Sequence, residues 1–194
     1  MTTFAITYDY LCPFARVANE AVVEAVNAGA DYEVSFAPFS LTQNHLSESE
    51  IPVWDRSISE GGRGVLAHYW AIAVRDTFPE KFNEFHVAVF TAKHDDLLDI
   101  DDPVVLASVA NNVGLDPDDI SEVVASGVPA KTLASEHTRL VQDHSVFGVP
   151  TFIANDEAVF VRLMERHKLD DLDKVVSMVG WTNVNEFKRT TVPR

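Results

Sequence analysis

Strand-like alternation is confined to the first forty or so residues and to a stretch that opens at Pro150. More than half of the chain lies between them. That distribution restricts the folds available more than any other feature. Thr3 to Asp9 sets Phe4, Ile6 and Tyr8 against Thr3, Ala5 and Thr7, the period of two that sends successive side chains to opposite faces of a sheet. Pro13 then stands where helices favour proline, at the first helical position. Beyond it Phe14, Val17, Ala18, Ala21, Val22, Ala25 and Val26 share one stripe, opposite Arg16, Asn19, Glu20, Glu24 and Asn27. Gly29 offers a C-terminal stop. Tyr32 to Phe39 alternates again, so the segment reads as a βαβ unit with parallel pairing.

Between these ends the period changes. Leu41 to Gly64 is polar and broken by glycine and proline, a loop with at most a short helical turn. From Gly64 to Ser145 the pattern is helical. It is punctuated by start signals at Asp76-Thr77-Phe78-Pro79, Asp102-Pro103, Asp116-Pro117 and Gly127-Val128-Pro129. Pro150 to Ala154, the turn Asn155-Asp156 and Glu157 to Val161 predict a β-hairpin. Leu169 to Val179 predicts a last amphipathic helix. Trp181 and an irregular basic tail follow, with Lys188, Arg189 and Arg194 expected to fold back on the acidic body or to fray. The helical block is too long for a loop. Without it, βαβ followed by ββα is the element order of a thioredoxin-like α/β fold. The expected organisation is a thioredoxin-like domain over 1–40 and 148–194, with 41–147 as a helical insertion lobe and its preceding loop.

Composition narrows the partners. The 194 residues suit one domain, or one domain with an insertion. A 46% hydrophobic content and mean hydropathy of −0.01 supply a core. Thirty acidic against fifteen basic residues leave a formal charge of −15 and a pI near 4.7. Such a surface repels phosphate backbones and anionic lipids, so neither nucleic acid nor a membrane is an expected partner. The first ten residues lack the basic and apolar regions of a signal peptide. A single cysteine, Cys12, excludes an intrachain disulfide and a cysteine-rich zinc site. A reduced, cytoplasmic setting is the expectation.

Cys12 follows a strand and precedes Pro13 at a helix start, where unpaired N–H groups and the helix dipole stabilise a thiolate. Arg16, one turn on, is expected to add to that field, and the Cys12 pKa is expected to fall below that of a free thiol. A lone intracellular cysteine is more often a buried, inert hydrophobe. Placement at the end of two elements reverses that prior here. The second feature is Phe147-Gly148-Val149-Pro150-Thr151-Phe152, a glycine turn and a proline opening a strand, which is compatible with a cis peptide.

Tyr8-Asp9-Tyr10-Leu11 leading into Cys12-Pro13-Phe14-Ala15, together with Gly148-Val149-Pro150-Thr151-Phe152, resembles the DsbA-like branch of the thioredoxin superfamily. The likeness is greatest to cytoplasmic actinobacterial members. The branch also holds FrnE-type proteins, kappa-class glutathione transferases and hydroxychromene-carboxylate isomerases. The resemblance implies that Cys12 is the nucleophile, that Pro13 and Phe14 tune it, and that Pro150 is a cis-proline facing the sulfur. It further implies that the Val149 backbone pairs with extended substrate. Tyr10, Arg16 and Thr151 complete the group expected to bind substrate or thiol. Ala15, however, stands where a dithiol enzyme has its resolving cysteine. Exchange passes through a mixed disulfide that a second thiol must attack. With no other cysteine in the chain, that thiol comes from outside.

The expectation is therefore a monothiol thiol-disulfide oxidoreductase without a tightly bound cofactor. Mycothiol or glutathione would be its co-substrate, and a small thiol or disulfide-containing molecule its partner. The chain is expected as a monomer or a homodimer. The alternatives are a kappa-class-like thiol transferase or isomerase acting on an organic electrophile, and a non-catalytic thioredoxin-fold binding protein. Those relatives hold their thiol with a Gly-Gln-Asp-Arg-like segment, where this chain has Val161-Arg162-Leu163-Met164-Glu165-Arg166. Arg162 and Arg166 can pair with a thiol's carboxylate or form surface salt bridges, the commoner outcome.

The remaining signals have bland readings. Acid runs at helix starts read as solvated caps and lack a calcium-loop pattern. The seven histidines form no zinc motif. His144 is placed either near Cys12 or as a cation at the end of its helix. There is no glycine-rich phosphate cradle and no Gly-x-Ser-x-Gly elbow. Trp54, Trp70, Phe78, Phe82, Phe85 and Phe90 are expected in the core of the helical block, with one or two lining a groove toward Cys12.

Overall fold

A four-stranded sheet is assembled from the two ends of the chain, with strand order β2-β1-β3-β4. The computed structural model describes residues 1–186 and 188–191, so Arg194 of the basic tail lies outside the described residues. Strand β1 (Thr2–Tyr8) pairs in parallel with β2 (Tyr32–Pro38) across the crossover helix α1 (Pro13–Asn27). On its other side β1 meets β3 (Thr151–Ala154) antiparallel, with Ala5 opposite Ile153 and Ile6 opposite Phe152. Strand β3 folds onto β4 (Glu157–Phe160) through Asn155 and Asp156, whose φ angles of 52° and 65° lie in the left-handed region that Asn and Asp tolerate.

Between the sheet halves lie α2 (Leu41–Asn44), two 3₁₀ turns at Val53–Asp55 and Ile58–Glu60, and five helices. These are α3 (Val65–Thr77), α4 (Pro79–His94), α5 (Pro103–Asn112), α6 (Pro117–Ala125) and α7 (Val128–His144). Helix α8 (Leu169–Met178) follows the hairpin. Two of the start signals work as the sequence implies. Asp102 and Asp116 accept hydrogen bonds from the Val104 and Asp118 N–H groups, each just ahead of an N1 proline. The start at Pro79 is built differently. Asp76 pairs with Arg75 inside α3, and Phe78 caps α4 with no side-chain hydrogen bond.

The expected aromatics pack as core. Trp70, Phe82, Phe85 and Phe90 are buried, while Trp54 and Phe78 are half-buried against the same cluster. The Phe90 ring packs 4.7 Å from that of Tyr10 at a tilt of 58°, so the helical block is fused to the chain just before Cys12 rather than held apart by a groove. Among the described residues, no helix is long and apolar enough to cross a membrane, and no group of three potential ligands converges to hold a metal.

Candidate active site

Cys12 is the N-cap residue of α1, with extended backbone angles (φ −93°, ψ 116°). Its Sγ accepts a hydrogen bond from the Ala15 N–H at 3.4 Å and donates to the Val149 carbonyl at 3.5 Å. The serine-like capping geometry thus falls to a sulfur, because Pro13 fixes the helix start and leaves the next amides pointing back at residue 12. The facing loop is held from below. The Val149–Pro150 peptide is cis. The Thr151 N–H donates to Thr7 Oγ1 (2.8 Å), the Thr151 hydroxyl to the Gly148 carbonyl (2.8 Å), and the Val161 N–H to the Pro150 carbonyl (3.2 Å). Sulfur, Ala15 N–H and Val149 carbonyl therefore meet at the end of β1.

The electrostatic expectation needs correction. Burial dominates and pushes the Cys12 pKa up. The Ala15 and Phe14 N–H groups pull it back, Asp9 pushes it further up, and Arg162 pulls it down. The helix N-terminus does favour the thiolate, but a half-buried sulfur loses more in hydration than two amides return. Arg16 is the second correction. Its side chain is buried, donating from Nε to Glu20 (2.8 Å) and clamping Asp95 with both terminal nitrogens. The cation acting on the thiol is Arg162 instead.

Arg162 is exposed, with its guanidinium 5.1 Å from the Phe14 ring and 5.8 Å from the Phe160 ring. Phe147, 67% exposed, packs 5.1 Å from Phe160. Among the described residues Arg162 has no carboxylate partner, whereas Arg166 donates to Glu20 (2.6 Å). Pro13 is exposed and Phe14 half-buried on the α1 side of the thiol. Tyr10 does not face the site. It is fully buried, with its hydroxyl on His86 Nδ1 (2.7 Å), and it braces the loop from behind. Thr151 is likewise buried, and its side chain shapes the loop rather than meeting solvent. His144 ends α7 and lines a cleft with Val26, Phe36 and Ile153, among none of the residues around Cys12.

Several residues near the site escaped the sequence reading. Asp9 is completely buried, and its carboxylate accepts from the Leu11 N–H (2.8 Å) and the Leu41 N–H (2.7 Å), tying the Cys12 loop to the start of α2. His94 Nε2 lies 2.9 Å from the Tyr10 carbonyl. His86 bridges Tyr10 and Asn19, and burial lowers its pKa to about 3. His137 stacks on Phe39 and receives the Ser40 N–H at Nδ1, its pKa lowered by burial to about 4. The available signal was an acid closing an apolar strand three residues before the thiol.

A family model described as the DSBA-like thioredoxin domain matches residues 4–177. The uncharacterised protein YwbO of Bacillus subtilis is 25% identical over 172 residues, covering 78% of this chain and 86% of that protein. A 2-hydroxychromene-2-carboxylate isomerase structure superposes with a TM-score of 0.66 at 15% identity, covering 92% of this chain and 95% of the other. The cytosolic disulfide reductase DsbM of Pseudomonas aeruginosa, solved with GSH, superposes at 0.64 and 16% identity, covering 91% and 98%. Likenesses at this identity establish the fold they share with this chain.

Proposed function

Because this chain belongs to the DsbA-like thioredoxin-domain family, we propose that it is a thiol-disulfide oxidoreductase working through Cys12 alone. The observation that carries the reading is the sulfur held between the Ala15 N–H and the Val149 carbonyl in a chain with no second thiol. In the first step the Cys12 thiolate attacks one sulfur of a disulfide. A Cys12–substrate S–S bond forms, the substrate S–S bond breaks, and the other half leaves as thiolate. In the second, an external thiolate attacks the substrate sulfur of the mixed disulfide and Cys12 departs as thiolate. Electrons pass from the external thiol to the original disulfide, and protons exchange with solvent.

A raised pKa leaves less thiolate at neutral pH, but the thiolate that forms is more nucleophilic. With a Brønsted coefficient of about 0.4–0.5, each tenfold loss of thiolate is offset roughly threefold in attack rate. A thiol of this kind is a poor leaving group, so its release from the mixed disulfide by the external thiol is the slower step of the cycle. Glutathione is supported as the external thiol by its presence on the structurally similar DsbM, and mycothiol fills the same chemical role. The exposed Arg162, without a carboxylate partner among the described residues, would receive the co-substrate's anionic end, and the Val149–Pro150 edge would dock the substrate. A permanently single thiol fits a reducing, cytoplasmic setting.

The test is glutathione-dependent turnover of a small disulfide by wild type and Cys12→Ser. Turnover lost with the fold intact is the expected result. Turnover retained in Cys12→Ser overturns the mechanism, and retained conjugation of an electrophile would point to a transferase.

A further inference from the structure

His68 is the one buried histidine around this site whose contacts are not satisfied by the packing described above. It lies on α3 with no exposed surface. Its Nε2 stands 3.4 Å from Asp9 Oδ2, within ion-pair distance but without hydrogen-bond alignment, and its Nδ1 has no partner among the described residues. The hydroxyl of Tyr8, 5.3 Å away ring to ring, is also buried with no partner among the described residues. Buried polar groups of this kind are rare unless they carry a function or hold a charge.

The carboxylate beside His68 adds to the burial that opposes ionisation of Cys12. Asp9 sits three residues before the thiol, holds the intervening Leu11 N–H, and is itself almost completely buried, where charges are poorly screened. A buried carboxylate with two amide donors and no cation would leave the Cys12 loop with a fixed negative charge. The groups around His68 are Tyr8 and Tyr10 from β1 and its following loop, Asp9, His86 from α4 and His137 from α7. Asp9 carries the one carboxyl among them, and burial favours the neutral form of both tyrosines and both other histidines.

We propose that His68 is a positioning residue for the thiol: as an imidazolium paired with Asp9, it neutralises the carboxylate that otherwise suppresses the Cys12 thiolate. The helical block thereby sets the reactivity of a cysteine carried by the sheet half of the chain. The inference rests on Cys12 being the reactive thiol, and it is independent of which disulfide that thiol meets.

The experiment is the pH–rate profile of Cys12 alkylation by iodoacetamide, a neutral probe that reads the thiolate without any exchange partner. His68→Gln should lower the rate at pH 7 by about three- to tenfold, as expected for leaving a nearby buried carboxylate without its counter-charge. Asp9→Asn should stay within about twofold of wild type, because the pair it removes is already neutral. In the double variant the His68 effect should vanish, leaving the rate of Asp9→Asn, because His68 acts only through Asp9. An unchanged profile in His68→Gln overturns the proposal, and so does a shift that persists in the Asp9→Asn background. Where His68→Gln does not fold, ¹⁵N spectroscopy of wild type decides the matter: imidazolium signals for His68 at pH 7 support the proposal, and neutral imidazole overturns it. Failure of glutathione turnover with these alkylation results intact would overturn the redox reading alone.

Discussion

Replacing Glu20 by alanine should destabilise the protein by an amount that its surroundings define. Glu20 is 6% exposed, and its two oxygens take the Nε donors of Arg16 and Arg166. If Arg16 lost all compensation, the cost would approach the roughly 3–5 kcal/mol of an orphaned buried charge. It does not, because Asp95 still clamps both terminal nitrogens. What remains is one buried Nε–H without a partner, about 1–3 kcal/mol, and the loss of the half-exposed Arg166 pair, roughly 0–1 kcal/mol. The expected total is about 1–4 kcal/mol. Urea unfolding at neutral pH, followed by far-UV circular dichroism, reads it as a lower midpoint at unchanged slope. The double variant Glu20→Ala/Asp95→Ala should cost more than the two singles added, since only then does Arg16 lose every carboxylate. A Glu20→Ala cost under about 0.5 kcal/mol, the range of ordinary surface substitutions, would refute this account, as would strict additivity. The same ion cluster ties the segment carrying Arg162 to α1, so amide exchange over 161–168 should also quicken in Glu20→Ala.

Two further outcomes follow from the charges around the site. Arg162→Gln should lower the rate of Cys12 alkylation by anionic iodoacetate more than by neutral iodoacetamide, with the ratio falling by about threefold or more; an unchanged ratio would remove Arg162 from the thiol's surroundings. Arg16 holds the Asp95 carboxyl below its ordinary value, so this pair stabilises the fold above the unfolded carboxyl pKa, and that stability is lost as pH falls through the lower folded value. Acid titration of stability should therefore be shallower in Asp95→Ala than in wild type below about pH 4, and parallel curves would contradict the assignment.

The fold was legible because its determinants are local. Alternation in Thr3–Asp9 and Tyr32–Phe39, a proline at the start of α1, the Asn155-Asp156 turn, and Asp-Pro pairs at Asp102 and Asp116 each act within a few residues, and the structure uses each of them. The site was legible only in part. The placement of Cys12 at a helix start follows from sequence, but the sign of its pKa shift does not. That sign depends on the contact with Val149, 137 positions away, and on the half-burial of Cys12 against the common core. A helical wheel puts Arg16 beside Cys12, yet the carboxylates of Glu20 and Asp95 capture it. Arg162, on the far side of the chain in sequence, takes its place. Asp9 reads as the end of a strand until His68 and the Leu41 amide are seen against it. Long-range pairing of this kind has no periodicity to betray it.

The central claim is that Cys12 exchanges disulfides as a single thiol, and intact-mass analysis tests it most directly. The protein is incubated with oxidised glutathione or oxidised mycothiol across a pH series, then with excess reduced thiol. The account predicts one thiol adduct per chain, absent in Cys12→Ser. The adduct should form faster as pH rises, with a midpoint above that of a free thiol, and excess thiol should reverse it completely. No adduct at any pH, or an adduct that reduced thiol fails to release, would contradict it.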